Sequence, residues 1–204
     1  MTEKEIKYKI GFTSGALLLK EAIPFVEAVQ NGIITLNDTS NVNSHIIPIN
    51  SESSRKRTLR ELKTRFRSID GEMLEMFIGD ETETKKLILF YAACKTYPII
   101  VDFMHDVVLD RWQQMKYELT SEDFAIYLNK KADASGAEIL NSQISIAKAG
   151  QVILRMFREL GLLNKNEIVG KHFSSNVLSS IKRKGDGWFL EILLLSPNEI
   201  KQLW

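Results

Sequence analysis

The sequence predicts an all-α protein, a compact helical bundle, and three observations predict it. Apolar residues recur at spacings of three and four along most of the chain, as in Leu59, Leu62, Phe66 and Ile69, which places each set on one face of a helix. Hydroxyl or acidic residues stand just ahead of these stretches, where they can accept hydrogen bonds from a first helical turn. No stretch alternates apolar and polar residues as a half-buried strand would. At 204 residues, 44% hydrophobic and 26% charged, the chain can bury the core of an ordinary globular protein of one or two domains.

In order, residues 4 to 9 form a short basic arm, and Thr13-Ser14 precede a helix from Gly15 to Val29 with Leu18, Ala22, Val26 and Val29 on one face. Pro24 is placed to kink it, and Asn31-Gly32 stop it. Residues 33 to 53 are polar and read as a long connection with room for one helical turn. The next helix is the basic one described below. Asp70-Gly71 break the chain before a short helix at 72 to 78, and Asp80 is the expected cap of Glu81 to Tyr97. Apolar nearly all round from Leu87 to Cys94, that helix is the expected central buried one. Pro98 opens the next. Thr120-Ser121 cap Glu122 to Lys131, with Phe124, Ile126, Tyr127 and Leu128 turned inward, and a loop is expected at 133 to 136. A long helix to Leu160 carries Ile144, Ile146, Ala149, Val152, Ile153, Met156 and Leu160 inward and ends at Gly161. Leu162 to Asn164 turn the chain. Ser174-Ser175 cap a helix that finishes in Lys182-Arg183-Lys184, and Trp188 to Leu195 fit a helix better than a strand, with room for a small winged or hairpin element near the C-terminus.

Residues 54 to 67 carry Arg55, Lys56, Arg57, Arg60, Lys63, Arg65 and Arg67 against one acid, Glu61. On a helical wheel Lys56, Arg60, Lys63 and Arg67 fall in one stripe, about 110° from the apolar one. One face docks and its neighbour presents cations, a geometry suited to phosphates or a nucleic-acid groove. Arg57 and Thr58 are placed to reach a base edge. Helix, connection, basic helix is the outline of a helix-turn-helix, and the helices around 143 to 184 repeat it, with Lys182, Arg183 and Lys184 as a second candidate footprint.

Net charge is only +1, but residues 1–69, 70–140 and 141–204 carry +4, −7 and +4. Local fields rather than net charge steer a polyanion, so basic ends around an acidic middle keep DNA in play, with the middle facing away from it. His45, His105 and His172 are scattered, no zinc, phosphate-loop or nucleophile motif occurs, and Glu72/Glu75 and Asp102/Asp106 read as solvated acid pairs; no enzyme chemistry and no cofactor are expected. The single cysteine, Cys94, sits among apolar residues, and no apolar run approaches the ~20 residues of a membrane span. A reducing cytoplasm and no membrane are expected.

Thr13-Ser14-Gly15-Ala-Leu-Leu-Leu-Lys-Glu, the helix Arg55-Lys-Arg-Thr-Leu-Arg-Glu-Leu, the Leu87 to Cys94 helix and Ile153-Leu-Arg-Met-Phe-Arg-Glu-Leu-Gly-Leu-Leu163 occur in an order that resembles the BrxA family of bacteriophage-exclusion (BREX) defence loci, over roughly residues 8 to 185. The resemblance implies an all-helical, non-enzymatic, cytoplasmic protein that binds double-stranded DNA through helix-turn-helix elements, beside a methyltransferase, an ATPase and a phosphatase-like protein. Arg55, Lys56, Arg57 and Arg60 match the family's basic helix. The family also shares a helical outline with the RNA-binding antitermination factor NusB, which leaves RNA as an alternative, and an adaptor for other BREX components as a second. The expected organisation is a helix-turn-helix-like module at 1–69, an acidic helical core at 70–140 and a second such module at 141–204, in one globular unit and as a monomer.

Overall fold

The computed structural model describes residues 11–40, 43–135 and 143–203. The basic arm at 4 to 9 and the end of the expected loop at Gly136 lie outside them. Helices make up almost all of the regular structure: α1 Leu19–Gln30, α2 Glu52–Phe66, α3 Gly71–Gly79, α4 Thr82–Thr96, α5 Pro98–Phe103, α6 Asp110–Gln113, α7 Ser121–Ser135, α8 Gln143–Leu160, α9 Ser175–Arg183, α10 Trp188–Glu191 and α11 Pro197–Gln202. A π-helical stretch, Met104–Leu109, joins α5 to α6.

The central position belongs to α4. Its side chains from Leu87 to Cys94 are all buried, and it packs against α1, α2, α3, α5 and α8, which is why this helix is apolar all round rather than amphipathic. Burial at that depth pushes the Cys94 thiol well above its ordinary range. Pro98 at the first helical position bends the chain by 107° between α4 and the helix that runs to Gln113. Aromatic rings fasten this layer to its neighbours, with Phe90 on Phe157 at 6.0 Å, Phe103 on Phe124 at 5.1 Å and Phe12 on Phe124 at 6.2 Å between ring centroids. Each such edge-on pair adds about 0.5–1.5 kcal/mol to the burial of its rings.

Long α8 lies along α7 and on the segment before α1. Gly150 lets it approach: a Cβ there would stand 2.4 Å from the Ser121 carbonyl oxygen. Ile146, Ala149, Ile153, Met156 and Leu160 face inward as their spacing predicts. Ile126 and Ile144 do not, being 47% and 82% exposed. Gly161 ends α8 at φ 91°, where its N–H donates to the Arg158 carbonyl and the Leu162 N–H to that of Phe157. Glycine takes this left-handed conformation without steric cost, and the two bonds satisfy carbonyls the helix would otherwise leave open.

Three elements differ from expectation at their ends, the first being α7, which continues through Ser135 where a loop is expected from Asp133. Thr13 and Ser14 do not cap α1; they belong to a 3₁₀ turn, Gly11–Ser14, and the helix starts at Leu19 after a left-handed Leu18. The intervening backbone is held by distant side chains, since the Gly15 and Ala16 carbonyls accept from Arg65 and the Leu17 N–H donates to Glu159. Asp80 does not cap α4 but ends α3, and α4 begins at Thr82 with Glu81 at its cap position. After α8 the chain forms a hairpin, β1 Leu163–Asn164 paired antiparallel with β2 Glu167–Ile168, which Glu118 extends by one bridge to Glu167. This is the small hairpin of the C-terminal region, placed before α9. Residues 188 to 191 are helical, as the better of the two readings had it.

Candidate nucleic-acid interface

Helix α2 forms where a side-chain cap, an acid in the first turn and an apolar stripe coincide. Ser51 accepts from the Ser54 N–H, Glu52 complements the positive helix end, and Leu59, Leu62 and Phe66 are fully buried. Phe66 packs between Phe25 and Phe77, at 5.3 and 5.6 Å. Docking on that side fixes which residues face outward.

The seven cations of the segment divide into two groups. Arg65 is 0% exposed; its Nε donates to Glu61 Oε1 at 2.6 Å, its Nη1 to the Ala16 carbonyl at 2.6 Å and its Nη2 to that of Gly15 at 3.0 Å. Glu61 takes a further bond of 2.7 Å from the Tyr97 hydroxyl. Lys63, placed by the wheel in the basic stripe, is 4% exposed, because its ammonium donates at 2.9 Å to the carbonyls of both Asp38 and Ser40. Arg55 is half-buried and bonds the Ile49 and Asn50 carbonyls. Each of these three ties the polar connection or the start of the chain to α2. Thr58, named with Arg57 as a candidate for a base edge, is 2% exposed and faces the interior.

Lys56, Arg57, Arg60 and Arg67 remain on the outside. Lys56 pairs with Glu52 at 2.5 Å, Arg60 makes one long bond of 3.4 Å to the Lys56 carbonyl, and Arg67 donates through Nε to the Leu36 carbonyl at 2.6 Å. Arg57 makes no ion pair among the described residues. With Thr64 between Arg60 and Arg67, the outer face carries four cations and, at its start, one acid.

The second cluster is placed differently. Lys184 lies 2.6 Å from both Asp70 and Glu72, Arg183 lies 2.8 Å from Glu72, Ser180 donates to the same carboxylate at 2.6 Å, and Lys182 bonds the Leu203 carbonyl at 3.1 Å. The C-terminal cations of α9 thus meet the acids that open α3, a favourable meeting of opposite helix ends. Of the acidic middle, Asp70 and Glu72 face these cations, while Glu75, Asp80, Glu81 and Glu83 are exposed. Lys184 and Ser180 hydrogen bonds hold the Glu72 carboxyl down to about 2 from the usual 4.5. A carboxyl with a depressed folded-state pKa stabilises above its unfolded value and loses that contribution as pH falls through the folded one. Chemical denaturation between pH 5 and 2 is therefore expected to show a falling midpoint that Glu72→Gln flattens. An unchanged profile in that variant would mean the contact adds nothing.

The two acid pairs resolve likewise: Glu72 as above, and Asp102 and Asp106 against Lys131 at 3.9 and 3.1 Å, with Tyr127 donating to Asp106 at 2.7 Å. His105 sits 3.1 Å from Asp106 on the exposed side. No group of three or more metal-ligating residues occurs among the described residues, and no single helix there is long and apolar enough to cross a membrane.

Known proteins resemble this chain over 60 to 93% of its length. A BREX protein BrxA of Bacillus cereus (strain H3081.97) is 25% identical over 157 residues, 75% of this chain and 78% of that one. A BREX protein BrxA of Escherichia coli O9:H4 (strain HS) is 23% identical over 123 residues, 60% and 58% of the respective lengths. The crystal structure of an uncharacterized protein from Magnetospirillum magneticum shares the fold, with a TM-score of 0.78 at 18% identity over 93% of this chain and 100% of that one. The BrxA family model itself matches residues 6–185, from ahead of the first 3₁₀ turn, through the basic face of α2, to the cations that end α9, and by that match the chain belongs to the BrxA family.

Proposed function

We propose that this protein binds double-stranded DNA through the outer face of α2, as a non-enzymatic component of a BREX phage-defence system. The observation that carries the reading is the division of the α2 cations. Arg55, Lys63 and Arg65 are spent on the fold, while Lys56, Arg57, Arg60 and Arg67 stay outward on a helix whose rotation those three fix. Cations held in a row on a rigid helix meet phosphates with little ordering cost, and Arg57, free of ion pairs among the described residues, is the one able to reach a base edge in addition to a phosphate. In this reading α2 plays the recognition part of a helix-turn-helix-like module, Thr58 and Lys63 serve the fold, Arg183 and Lys184 are paired with acids, and Lys182 is bonded to the Leu203 carbonyl. The BREX setting rests on family membership and on the names of the two relatives.

Fluorescence anisotropy with labelled duplex DNA, duplex RNA and single-stranded DNA across a salt series tests this. Four phosphate contacts at about −0.9 each give an expected slope of log affinity on log salt of about −3 to −4 with duplex DNA, and weak sequence preference. Binding that is flat in salt, or absent, overturns it and leaves an adaptor role among BREX components; preference for duplex RNA reassigns the surface to RNA.

A further inference from the structure

The chain from Tyr117 to Ile168 folds as a unit that the α2 surface does not involve. Ahead of α7, residues 117–119 run antiparallel to β2: the Leu119 N–H donates to the Asn166 carbonyl at 2.8 Å and the Ile168 N–H to that of Tyr117 at 2.7 Å, beside the bridge of Glu118 to Glu167. With β1 on its other edge, β2 is the middle of three short strands, and the order along the chain is strand, α7, α8, hairpin. Leu119, Leu163 and Ile168 are buried on the inner side of this sheet, while Lys165 and Asn166, at the tip of the hairpin, are exposed.

Arg158 fixes that tip to α8, its Nε donating to the Lys165 carbonyl at 2.7 Å and its Nη2 to Asn166 Oδ1 at 3.0 Å. It ends a row of Ile144, Lys148, Gln151, Arg155 and Arg158, whose spacing puts them on one helix face, and every member is exposed. Glu159, the one acid of α8, is half-buried, pairs with Arg155 at 2.8 Å and accepts from the Leu17 N–H. Lys148 has no ion pair among the described residues. The exposed acids nearby, Glu118 and Glu167 on the outer side of the sheet and Glu122 in the first turn of α7, stand outside the row. Where the start of α7, α8 and the hairpin meet, a recess of about 170 Å³ is lined by Thr120, Ser121, Gln151, Leu154, Arg158 and Asn166. It offers hydroxyls, amides and a cation and no acid, a lining that suits a backbone phosphate.

We propose that α7, α8 and the hairpin form a second surface for duplex DNA, a winged helix in which α8 enters the major groove and the hairpin tip meets the neighbouring minor groove. Side chains in the N-terminal part of a recognition helix reach base edges, and Ile144 to Gln151 is that part of α8. Gln151 pairs with the edge of an adenine, Ile144 covers a thymine methyl, Lys148 and Arg155 meet phosphates, and Lys165 carries the charge of the tip. The 82% exposure of Ile144, which wastes apolar surface in the free protein, acquires a use on the duplex. Arg155 also lines the cleft between α8 and α2, so the two surfaces adjoin, yet neither needs the other. The cations of α2 grip DNA of any sequence, whereas α8 adds an amide and an apolar group that favour A·T pairs.

Titration of the ¹⁵N-labelled protein with a short DNA duplex tests the proposal. Amide shifts at Ile144, Lys148, Gln151 and Lys165 are expected, and they persist in Arg57→Glu/Arg60→Glu. Lys148→Glu/Lys165→Asp, in which aspartate tolerates the φ of 53° at the tip, is expected to lower duplex affinity about tenfold or more and to take about 2 off a salt slope that these contacts steepen beyond what α2 alone gives. Selection from random duplexes should return an A·T-containing site that Gln151→Ala no longer prefers. Shifts confined to α2, with affinity unchanged in folded Lys148→Glu/Lys165→Asp, overturn this surface and leave that of α2 in place. Shifts at α8 and the hairpin tip with none at α2 support it and remove the α2 surface instead. Binding to duplex RNA alone, or to no nucleic acid, overturns both.

Discussion

Arg65→Ala is expected to destabilise the protein by about 3–5 kcal/mol, the cost of removing one member of a buried ion pair. The substitution leaves Glu61, 6% exposed, without its guanidinium partner, and leaves the Gly15 and Ala16 carbonyls without the donors that Nη1 and Nη2 supply. Tyr97 cannot make up the loss. Its one hydroxyl proton is already given to Glu61, and burial, with the Glu61 charge, pushes the phenol well above its usual range, so it stays a donor across ordinary pH. Three separate parts of the chain, the segment before α1, α2 and the end of α4, meet at this guanidinium. Urea denaturation followed by circular dichroism measures the effect. Glu61→Leu/Arg65→Met, which removes both charges, is expected to lose less than the sum of the single variants, because no charge is left buried and alone. A single Arg65→Met within about 1 kcal/mol of wild type would show that water replaces the guanidinium, and that the network positions rather than stabilises.

The same network explains what the sequence could and could not reveal. Stretches whose fate depends on neighbours one turn away were legible: the apolar stripe of Leu59, Leu62 and Phe66, the buried run of α4, and the stop at Gly161 all follow from spacing or from one residue's backbone freedom. The direction of the α2 cations was only half legible. Arg65 lies off the basic stripe on the wheel, beside the apolar residues, and that offset with Glu61 four residues before it was the available signal for burial. Lys63 lies within the stripe, and its burial depends on carbonyls of Asp38 and Ser40, in a polar connection whose path has no periodicity to read. Longer reach hides more. The start of α1 is set by Arg65 and Glu159, some 50 and 142 positions away in the chain, and the Lys184 contacts with Asp70 and Glu72 span more than 100. A run of Lys-Arg-Lys reads as an open basic patch until its partners are known.

Arg57→Glu/Arg60→Glu is expected to weaken duplex DNA binding on the order of 100-fold near physiological salt and to reduce the salt slope by about 2, one for each phosphate contact removed. Folding should not change, since both side chains are exposed, Arg57 makes no ion pair among the described residues, and Arg60 holds only the long bond to the Lys56 carbonyl. The thermal midpoint of the variant serves as that check. Arg183→Glu is the matched comparison. Its side chain is exposed like theirs, yet it sits 2.8 Å from Glu72, so its charge is offset within the molecule and its reversal should leave DNA affinity within about threefold of wild type while lowering stability through Glu72. A basic surface that worked through total charge would respond alike to both changes; a surface organised by α2 responds to one. Loss of affinity in Arg183→Glu equal to that in the double variant would move the DNA contact to α9 and require Glu72 to release its cations on binding. In that case Glu72→Gln, which frees Arg183 and leaves Lys184 held by Asp70 alone, should tighten binding, whereas on an α2 surface it leaves binding as it was.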